Sequence, residues 1–276
     1  MMGKVNNIGT CALCKDKDIK LLDSHIIPKL VYRRLKSYKN SRFRNYYDIN
    51  DIFQDGEKKP MLCSSCEKFF NKFETEFANE FLDKFSIDSI KVKKYAYKFD
   101  DFIYSLNWRI IYDDLYVFKS FTEIDKNEQQ YFYDIESRLA DYLNMKKNSN
   151  CDIDKPKNLK NYIFYIDDLG LDCKIIDELQ SSTFGYCFNA DYKSKYIIMT
   201  YFLGIIFVTL YEVNSIILTS CIMENIKRKF ITGKVDNIIK EELIWQYNKM
   251  ISHKPINDAI LNSGLREKLE NRYHNK

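Results

Sequence analysis

The sequence predicts an α+β protein: an N-terminal strand-and-helix module stapled by zinc, then a helical region, then a small, mostly antiparallel sheet. Three observations carry this. Two cysteine pairs, Cys11-x2-Cys14 and Cys63-x2-Cys66, have the spacing of a tetrahedral thiolate site. Between Ser86 and Lys147, Phe99, Phe102, Ile103, Leu106, Ile110 and Ile111 recur at three- and four-residue intervals, the period of a helix with a packed face. Four runs rich in Ile, Val, Thr, Tyr and Phe then read as strands of one sheet: Tyr162 to Ile166, Phe184 to Asn189, Tyr196 to Phe202 and Ile205 to Tyr211. The expected organisation is a zinc-binding module over residues 1–84 and an accessory α+β unit over 85–276. That unit is expected to be helical over 86–147, with strands over about 162–211 and a helical tail over 235–273.

Composition bounds the reading. Of 276 residues, 45% are hydrophobic and 30% charged, the balance of a folded globular chain rather than a disordered one. Only 8 Gly and 4 Pro are present, which favours long helices over a many-stranded sandwich. A net charge of +4 permits a nucleic-acid partner without demanding one. Met1 to Thr10 has no apolar run, so no signal peptide is expected, and thiolate zinc ligands suit a reducing, cytoplasmic setting. The scattered Cys151, Cys173, Cys187 and Cys221 read as small buried hydrophobes. Tyr196 to Tyr211 carries no charge, but it is too short to span a bilayer and has Leu203-Gly204 at its middle. Two buried strands meeting in a tight turn fit better, and no membrane partner is expected.

Within the first module, Cys11 to Cys14 reads as a knuckle turn, Ile19 to Ile27 as a strand running into Pro28, and Cys63 to Cys66 as a second knuckle. A helix follows from about Cys66 to Lys84, with Phe69, Phe70, Phe73, Phe77 and Phe81 on a core-facing side. A zinc held by Cys11, Cys14, Cys63 and Cys66 pins the strand to that helix. His25 then projects from the strand's end, where a neutral imidazole is a competent general base for activating water. Phosphodiester hydrolysis also asks for a divalent cation, Mg2+ or Mn2+, on hard oxygen ligands. The candidates are Asp23, two residues from His25, and Glu67 and Glu74, two helical turns apart on one face. Glu76 and Glu80 face elsewhere and read as solvated.

These residues resemble a known family. Cys11-Ala-Leu-Cys14, Ser24-His-Ile-Ile-Pro28 and Leu62-Cys-Ser-Ser-Cys66 are similar to the motifs of zinc-containing HNH (His-Me finger, ββα-metal) endonucleases. Ser24-His-Ile-Ile-Pro-Lys29, Gln54-Asp-Gly56 and Cys66-Glu-Lys-Phe-Phe-Asn-Lys-Phe-Glu74 resemble a bacterial HNH-like subgroup. The resemblance covers about the first 82 residues. It implies a general-base role for His25, a structural zinc on the four cysteines, and a catalytic-metal position at Glu67. It also implies a bacterial context in which such nucleases serve antiviral defence, with a partner protein from the same system. Two departures stand out: Ser24 occupies a position where the family carries a metal ligand, and Asn or His does not follow Cys66. Asn50 and Gln54 are the candidates for the family's middle asparagine. A zinc-stabilised nucleic-acid-binding or adaptor protein without cleavage therefore stands as the alternative, and a purely structural protein–protein module as a third.

Between Ser24 and Tyr47 lie Lys29, Arg33, Arg34, Lys36, Lys39, Arg42 and Arg44, and no acidic residue. Tyr32, Tyr38, Phe43, Tyr46 and Tyr47 interleave with them. Cations for phosphates and aromatics for bases suit a nucleic-acid track, DNA before RNA, against the plainer reading of a solvated basic face with tyrosines packed inward. In the second region Trp108-Arg109 reads as packing and an ion pair. Asp113-Asp114 and Asp167-Asp168 are neighbours that point apart, and His253 and His274 read as exposed.

Overall fold

In the computed structural model, which describes residues 7–39, 43–44, 52–53, 55–83, 99–118, 126–149, 151–180, 182–190, 195–213 and 237–252, the N-terminal region is built on a three-stranded antiparallel sheet. Its order is β1 (Ile8–Gly9), β2 (Ile19–His25), β5 (Lys58–Cys63). The strand expected to run to Ile27 stops at His25, because Pro28 offers no N–H to a ladder and α1 (Lys29–Lys39) begins at the next residue. β3 (Phe43–Arg44) and β4 (Ile52–Phe53) pair with each other between α1 and β5. β5 runs straight into α2 (Ser64–Phe77), which a single π turn (Ala78–Leu82) extends. Phe70, Phe77 and Phe81 are buried as expected, while Phe69 and Phe73 flank them half-buried, in edge contact at 4.8 Å.

The second region supplies α3 (Asp100–Phe118), α4 (Lys126–Asn148), β6 (Leu159–Tyr165), α5 (Cys173–Leu179), β7 (Thr183–Asn189), β8 (Lys195–Phe202), β9 (Ile205–Glu212) and a helix α6 over 237–252. The four strands form one antiparallel sheet in the order β6-β9-β8-β7. Leu203 and Gly204, at φ 54 and 76°, link Phe202 to Ile205 in a two-residue turn whose left-handed dihedrals match the twist of a hairpin. The uncharged run is therefore two strands. Among the described residues no helix is long and apolar enough to cross a membrane.

Both faces of the sheet are covered, which explains strands with almost no polar alternation. Ile198, Phe202, Ile205 and Phe207 lie in the core that contains α3, and Ile197, Met199, Tyr201, Ile206 and Val208 lie in a second cluster with Leu179 of α5 and Ile239 and Leu243 of α6. Helix α3 is buried at every position from Phe102 to Ile111, as expected of a helix enclosed by other elements. One hydrophobic core runs from Cys11 and Cys66 through Phe70, Phe77 and Phe102 to Phe207 and Tyr211. Phe77 stacks on Phe102 at 4.0 Å and meets Phe207 edge-on at 5.5 Å. The boundary expected at 84/85 falls outside the described residues, and the packing on its two sides is continuous. Cys187 is buried, but Cys151 and Cys173 are exposed, against expectation, in the loop before β6 and at the start of α5. Cys221, His253 and His274 lie outside the described residues.

Candidate metal centre and the His25 site

The knuckle at Cys11–Cys14 turns tightly: the Lys15 N–H donates to the Cys11 carbonyl at 3.0 Å, and Ala12 N–H reaches the Met61 carbonyl of β5 at 2.9 Å. That second bond brings the first cysteine pair over the β5–α2 junction, where Cys63 ends the strand and Cys66 sits in the first turn of the helix. The four side chains converge, with all four sulfur atoms within 4.8 Å of one another. Sulfurs placed tetrahedrally about 2.3 Å from a zinc lie about 3.8 Å apart, and Cys14 and Cys63 Sγ are 3.8 Å apart. The quartet can hold a structural zinc. A hydrogen bond between Cys66 and Cys11 holds the Cys11 thiol well below its ordinary value despite burial and pushes Cys66 up. Lys147, in the last turn of α4, donates to Cys66 Sγ at 3.2 Å, and Asn144 donates to the Leu13 carbonyl at 2.9 Å. The second region thus braces the knuckle and offsets its negative charge.

His25 ends β2 with its side chain 14% exposed. Its Nε2 is shielded from solvent, has no hydrogen-bond partner and faces the Asp55 carboxylate at 3.7 Å, too far for a hydrogen bond. Burial pushes the imidazole below its ordinary value; Asp55 opposes this, while Lys58 and Lys29 add to it. The ring is accordingly neutral at pH 7. Asp55 is held in turn by Lys58 at 3.1 Å and Lys29 at 3.3 Å, and these hydrogen bonds lower its carboxyl against the upward push of burial. Gly56, at φ 89°, makes the turn into β5, and a Cβ there would fall inside the Tyr32 ring. Only glycine meets both demands. Asp55 was missed by sequence reasoning, although Gln54-Asp-Gly56 is a recognisable turn signal.

The carboxylates expected around His25 separate. Asp23 is exposed on β2, while Ser24 is buried, 1% exposed, and its hydroxyl donates to the Leu22 carbonyl at 3.3 Å. The alternation of a strand puts Ser24 on the α2 side and Asp23 away from it, with the register irregularity at Leu22/Asp23 just before them. Glu67 is largely buried. Burial raises its carboxyl above the usual range, the Ser24 hydroxyl and then Arg109 pull it back, and one of its oxygens, Oε1, is buried without a hydrogen-bond partner. Glu74 receives Arg109 Nη2 at 2.8 Å. Arg109, 2% exposed, also donates Nη1 to the His25 carbonyl at 3.0 Å and Nε to the Ser105 carbonyl at 3.3 Å. Asp23, Glu67 and Glu74 do not converge as a triad: among the described residues the cysteine quartet is the single group of three or more Cys, His, Asp or Glu with converging ligand atoms.

The basic segment divides. Lys29, Arg33 and Arg34 line a groove of about 510 Å³ between α1 and α2, with Asn71, Glu74 and Thr75 on its far wall. Arg34 pairs with Asp83 across it, and Lys36 sits 6.0 Å over the Phe43 ring. Lys39 ends α1, Arg44 lies in β3, and Arg42, Asn50 and Gln54 lie outside the described residues. Tyr32 is buried and packs edge-on to Phe43 at 4.9 Å, so it serves the core and is no platform for a base. Asp113 pairs with Lys59, and Asp114 accepts the Cys187 N–H at 2.7 Å, so these neighbours do point apart.

No family model matches the chain, and neither a curated protein nor a solved structure does. What fold and site define together is an α+β protein with a four-cysteine cluster joining a β-hairpin to a helix, with His25 half-buried at the end of a strand and a groove lined by Lys29, Arg33 and Arg34 on the helix that follows it.

Proposed function

We propose that this chain is a zinc-stapled, divalent-metal-dependent nuclease of the HNH type that hydrolyses phosphodiester bonds, with DNA as the first substrate to test. The observation that carries the reading is the neutral, half-buried imidazole of His25, set at a strand end between Asp55 and the first turn of a cation-rich helix. A neutral imidazole there takes the proton of an attacking water, and Asp55 steadies the imidazolium that results. Lys29 and Arg33 offer charge-assisted hydrogen bonds to the backbone phosphates in the groove. Glu67, with its partnerless buried oxygen, suits one hard cation, and a bound Mg2+ or Mn2+ would neutralise charge on the scissile phosphate. The zinc on the four cysteines is structural and takes no part in the chemistry.

Plasmid cleavage with Mg2+ or Mn2+ tests this. Wild type is expected to nick or linearise DNA, and His25→Ala to lose at least about 100-fold in rate, the scale of general-base catalysis. Because burial lowers the His25 pKa below the ordinary 6.5, the neutral base predominates at pH 6.5, so cleavage should rise through acidic pH with its midpoint below 6.5. Absence of cleavage by wild type on DNA and RNA with either metal sinks the nuclease reading. A second reading, a zinc-stabilised nucleic-acid binder, is favoured by Glu74 being engaged by Arg109 and Asp23 lying outside the site. It predicts salt-dependent DNA binding that survives His25→Ala without cleavage.

A further inference from the structure

We infer that Arg109, supplied by the second region, is a positioning residue of the His25 site, so that the site is complete only with α3 packed against the zinc module. This rests on the nuclease reading above. The guanidinium places each of its three nitrogens on a different acceptor: Nη1 on the His25 carbonyl, Nη2 on Glu74 and Nε on the Ser105 carbonyl of its own helix. Phe70 of α2 packs against it, 5.3 Å from the guanidinium carbon to the ring centre. One planar fork thus fixes the backbone of the histidine, the carboxylate on the groove wall and the helix that carries it. The adjacent residues of α3 anchor that fork from behind. Trp108 donates to Glu136 of α4 at 2.8 Å and lies edge-on to Phe70, and Asn107 bonds to Thr200 and Thr209 of the sheet. A buried arginine whose only work was packing would not need acceptors on both the histidine strand β2 and the α2 wall of the groove. Arg109 touches no reacting atom; it acts through the positions of His25 and Glu74.

Arg109→Lys in the full chain is the test. A lysine keeps the charge but has one nitrogen, which does not span His25 and Glu74 together. The expected result is a kcat for DNA cleavage lowered about 10- to 100-fold, the scale of a displaced catalytic group, with KM within about twofold and zinc content unchanged. A folded, zinc-loaded variant whose kcat stays within about twofold of wild type overturns the inference. A second readout is independent of cleavage. The chain has three histidines, and the His25 ring C–H signal in an NMR spectrum is identified by its loss in His25→Ala. In Arg109→Lys that signal is expected to shift or split into two; an unmoved signal overturns the inference. If wild type cuts nothing, the nuclease reading fails while the NMR arm still decides the positioning role. If Arg109→Lys does not fold, Glu74→Gln loosens the same fork while leaving an acceptor for Nη2, and the same change in the His25 signal is expected, its absence counting against the inference.

Discussion

Asp114 illustrates how a single side chain can tie this fold to pH. It lies on α3, accepts the backbone N–H of Cys187 at 2.7 Å, and burial raises its carboxyl to about 7. The Cys187 N–H pulls it down, Asp113 pushes it up and Lys59 pulls it down again. The unfolded value is 3.8, so the folded state holds the proton more tightly. The stabilisation this provides is full below pH 3.8 and fades as pH rises through about 7, with every tenfold difference in proton affinity between the two states contributing about 1.4 kcal/mol. Asp114→Asn keeps an acceptor for Cys187 and removes the charge. Urea unfolding at pH 5.5 and pH 8 should show wild type losing stability between the two and the variant holding nearly level. Equal slopes would remove Asp114 as the cause. At this scale, residues that act through local spacing were legible in the sequence: the cysteine quartet by its knuckles, His25 by its place between them. Asp55 was not, and Arg109 was legible as a packed residue in an ion pair but not as a partner of His25, because the two lie 30 and 84 positions from His25 in the chain, and a charge's partner across such a separation leaves no periodic trace.

At the scale of elements, α3 decides the architecture. Its apolar spacing announced a helix but not a helix enclosed at every position from Phe102 to Ile111. Periodicity reports a packed face, and a helix packed all round has a weak periodic signal; Ser105, Asn107 and Arg109 further broke the apolar pattern. Those polar residues have matched partners. Asn107 accepts from Thr200 at 2.9 Å and donates to Thr209 at 2.6 Å, Thr209 donates to Asn161 at 2.7 Å, and Asn161 donates to Asp100 at 2.9 Å. This chain of bonds fixes how α3 seats on the sheet, where a purely apolar contact would allow sliding. Gly185 permits the approach, since a Cβ there would collide with Ile110. Asn107→Ala would leave a cavity and two buried hydroxyls short of partners. The expected cost is about 2–3 kcal/mol in equilibrium urea unfolding. A loss under about 0.5 kcal/mol would show that the network contributes nothing to stability.

For the whole molecule, the four-cysteine cluster and the distant sheet share one core, and this has a thermodynamic consequence. Cys11, Cys63 and Cys66 belong to the same hydrophobic cluster as Phe102, Phe207 and Tyr211, with Phe77 in contact with Phe102 and Phe207. Lys147 and Asn144 of α4 bond directly to the knuckles. A metal bound only by the folded quartet adds about 4 kcal/mol at a thousandfold excess over its Kd. For a chain of this size that is on the order of 10 °C in melting temperature. If the first module folded by itself, chelation would lower one melting transition and leave a second, from the sheet and its helices, in place. The shared core predicts otherwise. The zinc-loaded protein should melt in one calorimetric transition, and removing the metal with a strong chelator, or substituting Cys66→Ser, should move that whole transition down. The far-ultraviolet signal of the helices and the near-ultraviolet signal of the buried aromatics should fall together. Two transitions, with only the lower one sensitive to metal, would show that the staple and the sheet are energetically separate. In that case α3 would be a contact between two independent units, and the continuity of packing through Phe77 would carry little energy.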